Sequence, residues 1–398
     1  MKRAMINGAR RLAGVFTARR LVLAGAAAML GGCAVIPKTD PVETAPVITE
    51  APAPAPEATP LPTDETRHRV ALLVPMSGDT AAVGQALANA TTMALLDTNA
   101  SNLRITTYDT GRGAAEAARQ AIVDGNKLIL GPLLASNVPA VQAQARAARV
   151  PVISFSNDTA VASADVFILG HVPEQSIKRT VRYARGQGSN AFAALLPDGD
   201  YGARSLAALQ GALSEYGGRL VGIERYDRGN TSIMGAAQRL RAAGGYDTVL
   251  IADGARLAIQ AAGELRSSGA GSTQLLGTEL WSGEAALARA PEINGALFSA
   301  VSDNRFKRFS DSYEARFGVK PYRIATLGYD AVLLTLRTTR DWRVGSPFPE
   351  NQLYDRGGFL GVDGPFRFGR DGIAERALEV RRVSGDRVTA VDPAPTAF

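Results

Sequence analysis

Val70-Ala-Leu-Leu-Val-Pro-Met-Ser-Gly78 opens the part of the chain that reads as folded. Val70–Val74 is an unbroken apolar run, too short for a helix and closed by Pro75 and Gly78. Such a run reads as a strand buried on both faces, the kind found in parallel sheets. Leu103–Tyr108, Leu128–Leu130 and Val152–Ser154 continue the series. Between them lie alanine-rich stretches with helical spacing, near Val83–Leu96, Ala114–Val123 and Val138–Ala148. The alternation predicts an α/β unit with a parallel sheet covered on both sides.

The pattern then starts again. Ala191–Leu196, Leu220–Tyr226, Thr248–Ala252 and Gln274–Leu276 read as strands. Helices near Ser176–Arg185, Ala203–Tyr216, Ile233–Ala243 and Ala255–Arg266 separate them. Two successive doubly wound units predict two parallel-sheet lobes with a hinge and an interlobe cleft. Ligands of such folds gather at the carboxyl ends of the strands.

Bulk properties narrow the function. The chain has 398 residues, 46% hydrophobic and 21% charged, which suits two lobes better than one domain. Its net charge of +6 is misleading as a sign of nucleic acid. Lys2, Arg3, Arg10, Arg11, Arg19 and Arg20 lie in residues 1–32 with no acid among them, and the rest holds 38 basic against 38 acidic side chains. No basic face is implied, so no nucleic acid partner is expected. One cysteine excludes an internal disulfide framework and thiolate metal clusters, and two histidines leave little for zinc. No cofactor and no metal are implied.

Residues 1–32 read as an export signal. A basic region to Arg20 precedes the apolar stretch Leu21–Gly31, about half as long as a hydrocarbon core requires. Leu30-Gly-Gly-Cys33 resembles a bacterial lipobox, which implies lipidation of Cys33 and a membrane anchor. Ala34 after the cysteine favours the outer membrane over the inner, and Arg19-Arg20 leaves a twin-arginine route open. Residues 33–67 then form a lipidated, proline-rich tether, including Ala51-Pro-Ala-Pro-Ala-Pro56, with too little apolar content for a core.

Several short motifs occur in a familiar order. Val70–Gly78 with Ala82-Val-Gly-Gln-Ala86, Tyr108-Asp-Thr110, Ile129-Leu-Gly-Pro-Leu133, Val150-Pro-Val-Ile-Ser154 and Pro197-Asp-Gly-Asp-Tyr-Gly202 resemble type I periplasmic binding proteins of the Leu/Ile/Val-binding kind. Gly361–Gly372 resembles that family's closing hairpin, followed by a strand near Leu378–Val383. The resemblance implies an interleaved path: lobe one from 68–170 and 280–338, lobe two from 171–279 and 339–390, with a tail at 391–398. Gly131-Pro-Leu-Leu134, Asn137-Val138 and Pro173-Glu-Gln175 look most like the penicillin-binding protein activators, lipoproteins that stimulate a peptidoglycan synthase. The resemblance thus implies an envelope protein whose partner is a penicillin-binding synthase. The alternative is the receptor of an ABC permease that takes amino acids or similar small polar ligands.

Candidate ligand residues sit at strand ends, each with a plainer reading beside it. Ser136 stands where a helix begins and could hold a carboxylate or simply cap the helix. Ser154, Ser156 and Asn157 follow a strand where the family's amino-acid binders contact ligand, or they form an ordinary turn. The family's small pair is replaced here by Asn157 and Asp158, and an acid there would repel a ligand carboxylate. Tyr201 falls where the family lays a tyrosine across the ligand, or it packs on the next helix. Asp253 falls near the family's amine-pairing carboxylate, or caps the helix from Ala255. Ser77 serves a ligand or its own turn. Enzyme readings find no support: there is no Gly-x-Ser-x-Gly elbow, and Glu116 stands where a dinucleotide fingerprint needs glycine.

Overall fold

The computed structural model describes residues 64, 66–229, 232–267 and 273–396. The expected signal segment, Cys33 and nearly all of the tether lie outside the described residues. The first sheet contains β1 (His68–Val74), β2 (Leu103–Asp109), β3 (Ile129–Leu130), β4 (Val152–Ser154) and β5 (Val166–Ile168). All run parallel in the order β2-β1-β3-β4-β5. Helices α1 (Ala81–Asp97), α2 (Ala114–Val123) and α3 (Val138–Ala147) connect the first four strands. Ala71 and Leu73 face the apolar sides of α2 and α3, while Val70, Leu72 and Val74 pack on the α1 side. Both faces of β1 are therefore covered, as its apolar run requires.

The chain then enters the second lobe through α4 (Pro173–Gly186), β6 (Ala191–Pro197), α5 (Asp200–Tyr216), β7 (Arg219–Tyr226), α6 (Ser232–Ala243), β8 (Thr248–Ile251), α7 (Ala255–Arg266), β9 (Gln274–Leu276) and β10 (Leu297–Ala300). Helices α8 (Phe306–Phe317) and α9 (Thr326–Thr338) return to the first lobe, where Phe309 and Tyr313 pack on Ala86, Ala90 and Met93 of α1. A three-stranded antiparallel unit follows: β11 (Phe359–Gly361), β12 (Gly364–Phe368) and β13 (Ala374–Arg376). Finally β14 (Glu379–Ser384) and β15 (Arg387–Asp392) complete a seven-stranded sheet in the order β15-β14-β10-β9-β8-β6-β7. The α/β class with two parallel-sheet lobes is as expected.

The interleaving departs from the expected boundaries. Leu297–Ala300 pairs with Leu276 on one side and Glu379–Arg382 on the other, so residues to 300 belong to the second lobe and not, from 280, to the first. Conversely, Trp342, Phe348, Leu353, Phe359, Phe366 and Phe368 bury in the first lobe's core, although 339–390 was expected in the second. Both differences have one cause. A short apolar or aromatic run shows that a segment is buried, but not under which lobe. The chain thus crosses between lobes at 169–172, 301–305 and 377–378.

Each lobe repeats one close approach. A Cβ on Gly84 of α1 would stand 1.8 Å from the carbonyl oxygen of Pro75, and one on Gly202 of α5 would stand 1.8 Å from that of Pro197. In both cases the helix lies against the proline that ends its strand, and only glycine permits the contact. Gly211, further along α5, has open space around its Cβ position. Gly202→Ala is expected to destabilise the fold by about 2 kcal/mol or more through overpacking. Gly211→Ala should instead stabilise it by about 0.4–1 kcal/mol, because a helix interior favours alanine. Urea unfolding of the two variants measures the contrast.

Candidate functional site in the interlobe cleft

In lobe two, the loops after four neighbouring strands bring their polar ends together. Asp253 follows β8 and is buried, with its carboxylate accepting from the Tyr226 hydroxyl at 2.8 Å and from Arg228 Nε at 2.8 Å. The Arg228 guanidinium lies 5.2 Å from the centre of the Tyr201 ring, a cation–π arrangement. Tyr201, in the first turn of α5, donates its hydroxyl to Glu279 Oε1 at 3.0 Å and stands 2.9 Å from Thr278 Oγ1. Burial, then the neighbouring Glu279, raise the Tyr201 pKa well above that of an ordinary tyrosine. The Trp281 indole donates to the Asp253 carbonyl at 2.8 Å and fixes the loop behind this row.

Lobe one contributes the turn after β4. Ser154 is buried and donates to the Pro132 carbonyl at 2.9 Å, while its own oxygen accepts from the Ser156 amide at 3.1 Å. Ser156 in turn accepts from the Asp158 amide at 3.0 Å, and Asp158 accepts from the Ala160 amide at 3.0 Å. These hydroxyls and this carboxylate build the turn.

Arg204 joins the two lobes. It lies one turn beyond Tyr201 on α5, so the two side chains share a helix face. Its Nη1 is 3.1 Å from Asp158, its Nη2 donates to the Asn157 carbonyl at 2.5 Å, and its Nε donates to Glu174 at 2.8 Å. Glu174 opens α4 and also accepts from the Thr159 hydroxyl at 3.2 Å. Burial opposes the charge on Arg204, but Glu174, Asp158 and Glu279 raise its pKa above the usual value. Asp158, which would repel a ligand carboxylate, is thus neutralised by an arginine of the opposite lobe.

The expected site residues divide accordingly. Tyr201 and Asp253 belong to one network through Arg228. Ser154, Ser156 and Asn157 face it across the cleft through Arg204. Ser136 is exposed and makes no hydrogen bond among the described residues, so it does not cap the helix. Ser77 hydrogen-bonds to the Asp109 carboxylate, which also accepts from the Met76 and Gly111 amides at 2.7 and 2.8 Å, and so holds its own turn. The cap expected of Asp253 is not made either, since Gly254 occupies the N-cap of α7. Sequence reasoning passed over Arg204, Glu174, Arg228 and Glu279. The spacing of Tyr201 and Arg204 on one helix face was a signal for the first of these.

Glu279 is a second buried acid of the site. Its Oε2 has no hydrogen-bond partner among the described residues, and it lines a small space of about 10 Å³ with Ser282, Arg376 and His171, room for one water-sized group. Burial, then the charge of Glu174, push its pKa up to about 8, against the pull of Tyr201 and Arg204.

The sequence pattern that defines periplasmic binding proteins matches residues 68–387. The chain belongs to that family. A putative branched-chain amino acid ABC transporter protein from Rhodospirillum rubrum has the same fold, with a TM-score of 0.69, 20% identity, and coverage of 82% of this chain and 100% of that one. The isoleucine-bound branched-chain amino acid binding protein of Streptococcus pneumoniae has a TM-score of 0.65 at 19% identity, covering 83% and 100%. A Rhodopseudomonas palustris solute binding protein in complex with 3,4-dihydroxybenzoic acid has a TM-score of 0.67 at 19% identity, covering 83% and 99%. An uncharacterised protein of Rickettsia prowazekii is 27% identical over 179 residues, 44% of this chain and 48% of that one. The chain thus matches about half the length of that curated relative.

A carboxyl whose pKa is raised from 4.5 to about 8 makes stability depend on pH. The unfolded chain loses this proton above pH 4.5 and the folded one near pH 8. The group's contribution is therefore intact below about pH 4.5 and declines between those values. Glu279→Gln keeps an acceptor for Tyr201 and removes the titration. Its unfolding free energy should fall less than the wild type's between pH 5 and 8, with the variant the more stable at pH 8, as read by urea denaturation across pH.

Proposed function

We propose that this is a non-catalytic, lipid-anchored envelope protein that acts by contact with a penicillin-binding peptidoglycan synthase, as a regulator of that enzyme. The observation that carries the reading is Arg204. A transport receptor offers polar groups on the two lobes to a solute that bridges them. Here the bridge is made by the protein's own guanidinium, held by Asp158, Asn157 and Glu174. The fold then serves as a platform, with its cleft closed by its own side chains. Periplasmic placement follows the family, and the anchor at Cys33 with an outer-membrane preference follows the lipobox reading.

The second reading is a receptor for a small polar ligand delivered to an ABC permease. It is favoured by the unpartnered Glu279 Oε2 beside Tyr201 and by the solutes held in the isoleucine and dihydroxybenzoic acid complexes. Two measurements separate the readings. Pull-down from crosslinked envelopes should recover a penicillin-binding synthase; recovery of a permease instead would favour the receptor. Thermal shift against each free amino acid at 10 mM should show no stabilisation. A receptor with a dissociation constant near 10 μM would gain about 4 kcal/mol there.

A further inference from the structure

The closing hairpin carries a second feature, away from the cleft. Tyr354, Asp355, Arg356, Arg367, Phe368, Gly369, Arg370 and Glu375 line a solvent-open groove of about 600 Å³ on the first lobe. That volume lies within the range of ligand sites. Its floor is the outer side of β12 and β13, where Arg367 pairs with Glu375 across the strands at 2.7 Å. The other acid of the lining, Asp355, is paired with Arg337 from α9. Both carboxylates are thus engaged by arginines. Arg356 and Arg370 are exposed and have no hydrogen-bond or ion-pair partner among the described residues. Two further acids near Tyr354, Glu350 and Asp371, do not line the groove, and the Asp371 carboxylate accepts from the Ile373 amide at 3.1 Å. The Tyr354 ring is half-buried and is held by Phe167, with ring centres 5.6 Å apart.

We infer that this groove is a binding site for an acidic peptide segment of a partner protein. Two free guanidinium groups on separate turns suit two separate carboxylates, and arginine forks recognise that group by paired hydrogen bonds. The half-buried tyrosine offers a flat apolar surface for the chain between them. The groove is larger than one small anion fills, and its own acids are already satisfied, so its unspent charge is positive. This goes beyond the regulatory reading and does not depend on the state of the cleft.

The test uses the full-length protein and a fluorescein-labelled hexaglutamate peptide, followed by anisotropy in 50 mM NaCl. Arg356→Ala/Arg370→Ala should weaken binding about tenfold or more. Arg225→Ala/Arg387→Ala removes the same charge from exposed positions outside the groove and should change it less than twofold. All four arginines of the two double variants are exposed, and matched melting curves check that both fold. Equal weakening by the two double variants would reveal general electrostatics and overturn the proposal, as would no binding by the wild type. Displacement of the peptide by micromolar citrate or phosphate would assign the groove to a small anion and overturn the peptide.

Discussion

One buried carboxylate fastens the first crossover to lobe one. Asp363, in the turn between β11 and β12, has no exposure to solvent. It accepts from Arg323 Nη1 at 2.6 Å and from the Thr326 hydroxyl at 2.8 Å, and stands 2.9 Å from His171 Nε2. Burial would raise its pKa, but Arg323 and then His171 hold it well below the usual carboxylate range. A charge placed there is tolerated only while its partners remain, because leaving one unpaired costs about 3–5 kcal/mol. The partners come from different passages of the chain. His171 lies in the first crossover. Arg323 also faces Asp303 in the second, at 3.6 Å. At the third, Arg376 donates to the Leu169 carbonyl of the first at 2.6 Å, and Arg381 pairs with Asp303. The crossovers are therefore tied together by ion pairs to Asp303 and by the hydrogen bond from Arg376 to the Leu169 carbonyl.

The same knot decides what the cleft can be. Arg376 and His171 line the small space against which Glu279 is buried, so the hinge and the candidate site share a wall. Burial and the charge of Asp363 push Asp330 up to about 7, next to the amides of Val362 and Asp363 that donate to it. Two buried carboxyls are thus neighbours here, and Arg323 and Arg376 favour the charge on Asp363. With the lobes fixed at this end, α5 approaches the turn after β4, and Arg204 spans the remaining distance.

Where the sequence was legible, it was legible through burial. The run Val70–Val74 announced a two-faced strand, and the alternation that followed gave the order of strands and helices in both lobes. Val166–Ile168 escaped notice because no α-helix separates it from β4, so the strand–helix alternation passes over it. The return of the chain escaped for a related reason. Leu297–Ala300 and Phe359–Phe368 are apolar in either lobe, and which sheet they join depends on long-range pairing. Site residues fared by type. Tyr201 and Asp253 were visible because aromatic and acidic residues at strand ends are conspicuous. Ser77 and Ser136 were equally conspicuous; the first hydrogen-bonds within its turn and the second is exposed. Arg204 and Glu279 were hard to see, because their roles depend on partners that are far away in the chain.

Asp158 shows how a departure from a family's pattern becomes informative once its partner is known. Alone, an acid at that turn says only that a carboxylate ligand is disfavoured. Paired with Arg204, it has a cation of the opposite lobe beside it. A tethered side chain is present at an effective concentration of the millimolar order or above, without the cost of bringing a second molecule from solution. A free solute would have to displace contacts to Asp158, Asn157 and Glu174 and leave their desolvated charges to be satisfied again. On the proposed reading, the interlobe bridge that a receptor leaves to a diffusing ligand is encoded in the chain by Arg204.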